Sequence, residues 1–264
     1  MQRAIDLARP FHPHPNPRVG CVIVNDEEVV GEGAHQQAGT DHAEVLALRA
    51  AGENALGSTA YVTLEPCAHT GRTPPCTEAL IDRGVAKVVA AVGDPDRLVA
   101  GRGVASLESA GVDVQVGLLE QQAVALDRGY HHHRATGRPW VQAVLSHAGI
   151  GEEAIADIDD LIASLDLVVT AAGEGLDPAD AAPLEEQLIR LGSRDVIDVG
   201  VGDDQGLLEA LASGGWIDGV TIYSASAIPD WGPLSGGLPF TVREVRSIGS
   251  DVRIEALSEA QRTA

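Results

Sequence analysis

Short apolar runs alternate with amphipathic stretches along the first half of the chain. Residues 2–9 space their apolar positions at helical intervals, and residues 19–25 and 28–34 read as two strands joined near Asp26–Glu27. Residues 41–52 form a helical pattern, with Thr40 or Asp41 as N-cap and Gly52 near the C-terminus. A strand at 59–64, a helix at 76–84, a buried strand at 86–92, a helix at 104–111, a strand at 112–117 and a long helix at 119–134 follow. Strands alternating with helices specify a layered α/β sheet.

The segment HHHRATGRP, residues 131–139, ends a helix and enters an X-Pro step, so a domain boundary is expected between 1–138 and 139–264. Adjacent helical positions point in different directions, and the three consecutive histidines therefore read as a solvated helix end, not as one metal site. The second half keeps the α/β texture, with strands at 165–171, 194–200 and 219–225 and helices at 185–192 and 205–215.

Composition changes the picture in three ways. No apolar run approaches the ~18–20 residues of a membrane span and no signal-peptide pattern opens the sequence. Three cysteines, an odd and sparse set, argue against a secreted disulfide scaffold, and a cytoplasmic protein is expected. The net charge of −21 is uneven: residues 1–138 hold 12 Arg/Lys against 17 Asp/Glu, and residues 139–264 hold 6 against 22. Such a chain has no basic stripe for nucleic-acid phosphates.

Two cysteines, Cys67 and Cys76, lie within TLEPCAHTGRTPPC, separated by eight residues; the third, Cys21, sits in apolar GCVIV and reads as core. His42-Ala43-Glu44 opens one helix, Pro66-Cys67 follows a strand, and Cys76 opens the next helix. One imidazole and two thiolates suit zinc, and three protein ligands leave a position for water, as in a catalytic site. A glutamate two residues after the histidine is the non-ligating proton carrier of zinc deaminases. Helix N-termini favour the thiolates. The expectation is Zn2+ held by His42, Cys67 and Cys76, with Glu44 moving a proton from water to a leaving amine. A structural zinc site or unrelated thiols are the competing readings.

Cytidine- and tRNA-type deaminases space their cysteines as C-x-x-C, unlike this chain. The motifs PNPRVGCVIV, GEGAH, HAEVLAL, YVTLEPCAHTGRTPPC and DPDRLVAGRG, in that order, closely resemble the deaminase domain of the bifunctional riboflavin-biosynthesis deaminase/reductase family over about residues 1–138. The resemblance implies a three-layer α/β/α cytidine-deaminase-like domain followed by an α/β dihydrofolate-reductase-like domain. It implies hydrolytic deamination of 2,5-diamino-6-(5-phosphoribosylamino)pyrimidin-4-one to the corresponding 5-amino uracil. Asn16 would then contact the base region, His35 would line the pocket, and His69 and Arg72 would belong to the insert that meets the ribose phosphate. Asp94 and the turn at Gly101 and Gly103 would close over the ribose. An arginine suits that place because it binds phosphate bidentately. A homodimer or higher homo-oligomer is expected.

Two departures stand out. The chain has Asp94-Pro95-Asp96-Arg97 where the family reads D-P-N-P, which puts the Asp96 charge near the ribose phosphate with Arg97 beside it. In RPWVQAVLSHAG, Arg138-Pro139 keep the family's reductase opening, but Val144 replaces its lysine and Ser146-His147-Ala148-Gly149 lacks its aspartate. DVGVGDD, residues 198–204, replaces the glycine-rich phosphate loop, and its three acidic side chains are expected to repel a pyrophosphate. Residues 139–264 thus read as a truncated, degenerate reductase-like domain that binds no NADPH and serves packing or dimerisation. Two alternatives stay open: a deaminase of another aminated heterocycle, and a silent zinc-stabilised scaffold.

Overall fold

Strands β1 (Gly20–Asn25) and β2 (Glu28–Ala34) form an antiparallel hairpin. Its turn residues Asp26 and Glu27 both take positive φ, 48° and 67°, as a tight two-residue connection requires. The computed structural model describes residues 1–69, 74–96, 99–147, 149–170, 175–202, 204–225 and 240–258. The chain divides into two units, Met1–Ala135 and Thr136–Ala264, each with its own sheet.

In the first unit β1 also pairs antiparallel with β3 (Thr59–Val62). From β3 the sheet continues in parallel through β4 (Lys87–Ala90) and β5 (Asp113–Val116), in the order β2-β1-β3-β4-β5. Cross-strand partners share a face, so Cys21 and Gly33 point one way and Gly20 the other. A Cβ on Gly20 would lie 1.9 Å from the Ala4 carbonyl oxygen of α1 (Gln2–Ala8). One on Gly33 would lie 2.4 Å from the Ala43 carbonyl oxygen of α2 (Ala43–Ala51). Helices thus cover both faces at backbone contact, which makes three layers. Cys21 is fully buried, as its apolar neighbours predict. α3 (Cys76–Asp82) and α4 (Arg102–Ser109) complete the connections between the parallel strands.

The long helix expected at 119–134 is two helices, α5 (Glu120–Leu126) and α6 (Arg128–Thr136). Asp127 breaks it with φ −144°. Its buried carboxylate accepts from the Tyr130 N–H at 3.3 Å, capping α6, from the Arg18 N–H at 2.8 Å, and meets His14 Nε2 at 3.1 Å. The histidines are a second correction. Gly129, His132 and His133 are buried along one helical face, and burial pushes His131 down, so this helix end is packed and not solvated.

Burial opposes the Asp127 charge, yet the His14 hydrogen bond and the charges of His14 and Arg18 hold its carboxyl below the ordinary range. The folded value lies below the unfolded one. This stabilisation is therefore complete above about pH 4 and is lost as pH falls through the lowered value. Asp127→Asn should cost about 1.5–3 kcal/mol at pH 7 and flatten the acid limb of a stability–pH curve built from denaturant midpoints.

In the second unit β6 (Trp140–Ser146), β7 (Leu167–Val169), β8 (Asp198–Val201) and β9 (Gly219–Ser224) run parallel in the order β9-β6-β8-β7. An antiparallel hairpin, β10 (Phe240–Ile248) and β11 (Asp251–Ser258), extends the sheet beyond β9. α7 (Glu152–Ala163), α8 (Leu184–Gly192) and α9 (Gln205–Ser213) complete the described elements. Val141, Leu188, Val201, Leu208 and Ile222 anchor the core. Val144 packs with Ala154 and Tyr223.

Arg138 binds the Asp218 carboxylate through both terminal nitrogens, at 2.7 and 2.8 Å, and its guanidinium lies 5.6 Å from the Trp216 ring centre. Asp218 also accepts from the Val141 N–H at 3.0 Å. The acidic side chains of 198–204 that the structure describes stand apart, one in a strand and one at a helix start. Asp198 is buried at the start of β8, while Asp204 caps α9 by accepting from the Leu207 N–H at 2.9 Å. Asp203 lies outside the described residues, as does Ala148.

Candidate metal centre

Strand β3 ends at Val62, and the chain then runs through Thr63-Leu64-Glu65-Pro66 to Cys67 at the C-terminal end of the parallel strands. α2 and α3 begin at the same place. His42 is the N-cap of α2, in place of the expected Thr40 or Asp41, and its side chain makes no capping bond. The imidazole turns instead to the cysteines, with Nδ1 3.2 Å from Cys76 Sγ and 3.7 Å from Cys67 Sγ. Cys76 is the first residue of α3 and is fully buried. Its N–H donates to Cys67 Sγ at 3.4 Å, and the Thr77 N–H donates to the Cys67 carbonyl at 3.2 Å, so the helix start and the strand exit are stitched together.

The three donor atoms all lie within 4.8 Å of one another. Tetrahedral zinc with ordinary Zn–S and Zn–N lengths sets donor edges of about 3.6–3.8 Å, and the residues fit that ion. Their protonation agrees with a shared site. The Cys76 thiol hydrogen bond, with further help from His42, holds Cys67 down to about 4 against its burial. The same hydrogen bond, burial and the Glu44 charge drive Cys76 far up, and the Cys67 hydrogen bond raises His42. One thiolate forms readily, and a cation displaces the remaining protons.

Glu44 occupies the first turn of α2 and is 4% exposed. Burial, then the Cys67 charge, pushes its carboxyl up, while a hydrogen bond with Cys76 and the His42 charge oppose the rise. A carboxyl raised in this way, beside a metal-binding cluster, is suited to take and return a proton.

Asn16 and His35 are joined. Asn16 Nδ2 lies 3.0 Å from His35 Nε2, and His35 Nδ1 lies 3.1 Å from the Asp41 carbonyl oxygen. A carbonyl can only accept, so Nδ1 carries the proton and Nε2 accepts from the Asn16 amide. Burial pushes His35 down, consistent with a neutral ring. The His35 and His42 rings meet edge to face with centres 5.2 Å apart, which brings the pair beside the metal donors.

Asp94 sits on the loop after β4, where its Oδ1 accepts from the Asp96 N–H at 2.8 Å. Burial pushes its carboxyl up, opposed first by that Asp96 N–H hydrogen bond, while the Asp96 and Glu65 charges add to the rise and Arg134 counters it. His69 is exposed in the loop after Cys67, while Arg72 and Arg97 lie outside the described residues. Sequence reasoning attached no role to Glu65, a carboxylate buried between Leu64 and Pro66 that binds the Asp94 N–H at 3.2 Å. Its signal was a lone acid in an otherwise apolar strand exit.

Residues 1–92 match the cytidine and deoxycytidylate deaminase zinc-binding region family. The riboflavin biosynthesis protein RibD of Escherichia coli is 56% identical over 158 residues, 59% of this chain and 43% of that protein. The chain thus spans less than half the length of the first such relatives. The diaminohydroxyphosphoribosylamino-pyrimidine deaminase of Buchnera aphidicola is 46% identical over 141 residues, covering 53% of this chain and 96% of that protein. The solved structure of Acinetobacter baumannii RibD superposes with a TM-score of 0.85 at 31% identity, covering 97% of each chain. A likeness running through both units, joined to a donor set built for zinc at the exit of β3, leaves one conclusion: the chain belongs to the RibD family of riboflavin biosynthesis proteins.

Proposed function

We propose that the chain is a zinc-dependent aminopyrimidine deaminase. In this reading it hydrolyses 2,5-diamino-6-(5-phosphoribosylamino)pyrimidin-4-one to the 5-amino uracil and ammonia. The observation that carries this is the convergence of His42, Cys67 and Cys76 with Glu44 buried beside them, in a chain 46% identical to a protein named for that deamination.

His42 Nδ1 and the two sulfurs would hold zinc, which when bound supplies an acidified water near neutral pH. Glu44 takes the proton from the attacking water as its oxygen adds to the amino-bearing ring carbon. It hands that proton to the adjacent ring nitrogen, then takes the remaining hydroxyl proton and delivers it to the departing nitrogen, which leaves as ammonia as its C–N bond breaks and the ring carbonyl forms. His35 and Asp41 fix the Asn16 amide so that its oxygen is the atom presented to substrate N–H groups. His35→Phe should leave Asn16 unanchored and lower kcat/KM by roughly 10–100-fold, the equivalent of about 1–3 kcal/mol, without loss of zinc. His69 and Arg72 are assigned to the ribose phosphate, and Asp94 to the ribose.

Residues 1–138 act as the deaminase domain and 139–264 as a degenerate reductase-like domain that does not use NADPH. Two features support this: Val144 is core where the family has lysine, and the Asp204 carboxylate occupies the α9 N-terminus where a phosphate would dock. Binding or oxidation of NADPH by the purified protein would refute that part. A cytoplasmic homo-oligomer is the expected setting; among the described residues no helix is long and apolar enough to cross a membrane.

The test is ammonia release from the diaminopyrimidine phosphoriboside, its dephosphorylated form, cytidine and guanine. Turnover of the phosphoriboside alone supports the assignment, and no reaction with either diaminopyrimidine removes it. Asp96 favours one second reading, a substrate without a phosphate at that position, which the dephosphorylated form would reveal.

A further inference from the structure

The Glu65 carboxylate is fully committed to one loop. Oε2 accepts from the N–H groups of Asp94 at 3.2 Å and Gly101 at 3.0 Å, and Oε1 accepts from Gly103 at 2.8 Å and Val104 at 3.2 Å. Those four bonds use the acceptor capacity of a carboxylate. Gly101, the N-cap of α4, has no side chain with which to cap its helix. Glu65 supplies that function from another part of the chain, taking the otherwise orphaned donors of Gly103 and Val104. The approach is close: a Cβ on Gly103 would fall 2.0 Å from the Pro66 carbonyl oxygen and 3.1 Å from Glu65 Cγ. Glu65 is itself fixed, since its N–H donates to the Val92 carbonyl at 2.9 Å. One side chain, two residues before Cys67, thus holds both Asp94 and the start of α4.

We propose that Glu65 is a positioning residue for substrate affinity: it registers the loop carrying Asp94 against the metal-ligating segment through four N–H bonds, without touching zinc or the reacting atoms. This rests on the deaminase reading above. A neutral amide at this position would present its own N–H groups to two of the four donors, so the loop would lose its register while the cysteines and Glu44 stay in place.

Glu65→Gln should raise KM for the phosphoriboside about tenfold and leave kcat within about threefold. Zinc content should be unchanged, and amide hydrogen exchange at residues 94–96 and 101–104 should quicken. In an Asp94→Ala background the further rise in KM from Glu65→Gln should shrink markedly, because the group being positioned is gone. If Glu65→Gln does not fold, Glu65→Asp, which keeps the charge but shortens the reach, is measured in the same way. Unchanged KM and exchange would overturn the proposal, as would a loss of kcat and zinc in step with KM, the mark of a purely framework role. An unmodified protein that fails to deaminate would overturn the functional reading and remove the KM arm. Loop exchange would still report whether Glu65 sets the loop.

Discussion

Glu44→Gln is expected to cut ammonia release by about 10²–10⁴-fold while zinc content stays at that of the unmodified protein. The substitution keeps shape and burial and removes only the capacity to carry a proton. Glu44 contributes no donor to the cluster of His42, Cys67 and Cys76, so metal affinity should not follow activity. Burial already biases this carboxyl toward its protonated form, and the hydrogen bond with Cys76 and the charge of His42 restrain that bias. A group balanced in this way is suited to accept a proton and give it up within one turnover. The measurement pairs a coupled ammonia assay with metal analysis. Full activity in the variant would remove Glu44 from the reaction, and parallel loss of zinc would recast it as part of the metal site. The silent-scaffold alternative predicts no activity to lose in either protein.

The donor set was legible because its parts sit at element boundaries, where the sequence changes period. His42 and Cys76 each precede or open a run of helical spacing, and Cys67 follows the end of an apolar strand. The β1–β2 hairpin was legible for the same reason, at Asp26-Glu27. What the sequence concealed depended on contacts between distant residues. Nothing local marks Asp127 as a helix break; His14 and Arg18, over 100 positions away, make the carboxylate a junction. The buried faces of His132 and His133 depend on that break, because α6 restarts there. The β10–β11 hairpin was missed since β10 is largely exposed and its Arg and Glu residues interrupt any apolar run. α7 was missed although Ala154, Ile158 and Leu161 follow helical spacing, because five acidic residues dilute the pattern. Glu65 had a recognisable motif around it but no local partner that would reveal its use.

Arg138→Ala is expected to destabilise the second unit by about 3–5 kcal/mol, since it strands the Asp218 carboxylate in the interior. The Asp218 side chain is 2% exposed and Arg138 14%, so water cannot readily replace the lost partner. Arg138 also stacks on Trp216, and the Asp218 carboxylate binds the Val141 N–H at the start of β6. One ion pair therefore ties the first central strand to the entrance of β9. The arginine that opens this segment is thus built into the sheet. All three tryptophans, Trp140, Trp216 and Trp231, fall after residue 138, so intrinsic fluorescence follows this unit selectively during denaturant unfolding. The midpoint should fall sharply in Arg138→Ala. Arg138→Met combined with Asp218→Leu should recover much of the loss, because an apolar pair leaves no buried charge unmatched. An unchanged midpoint in the single variant would mean that solvent reaches Asp218 and that the retained arginine serves something other than the sheet.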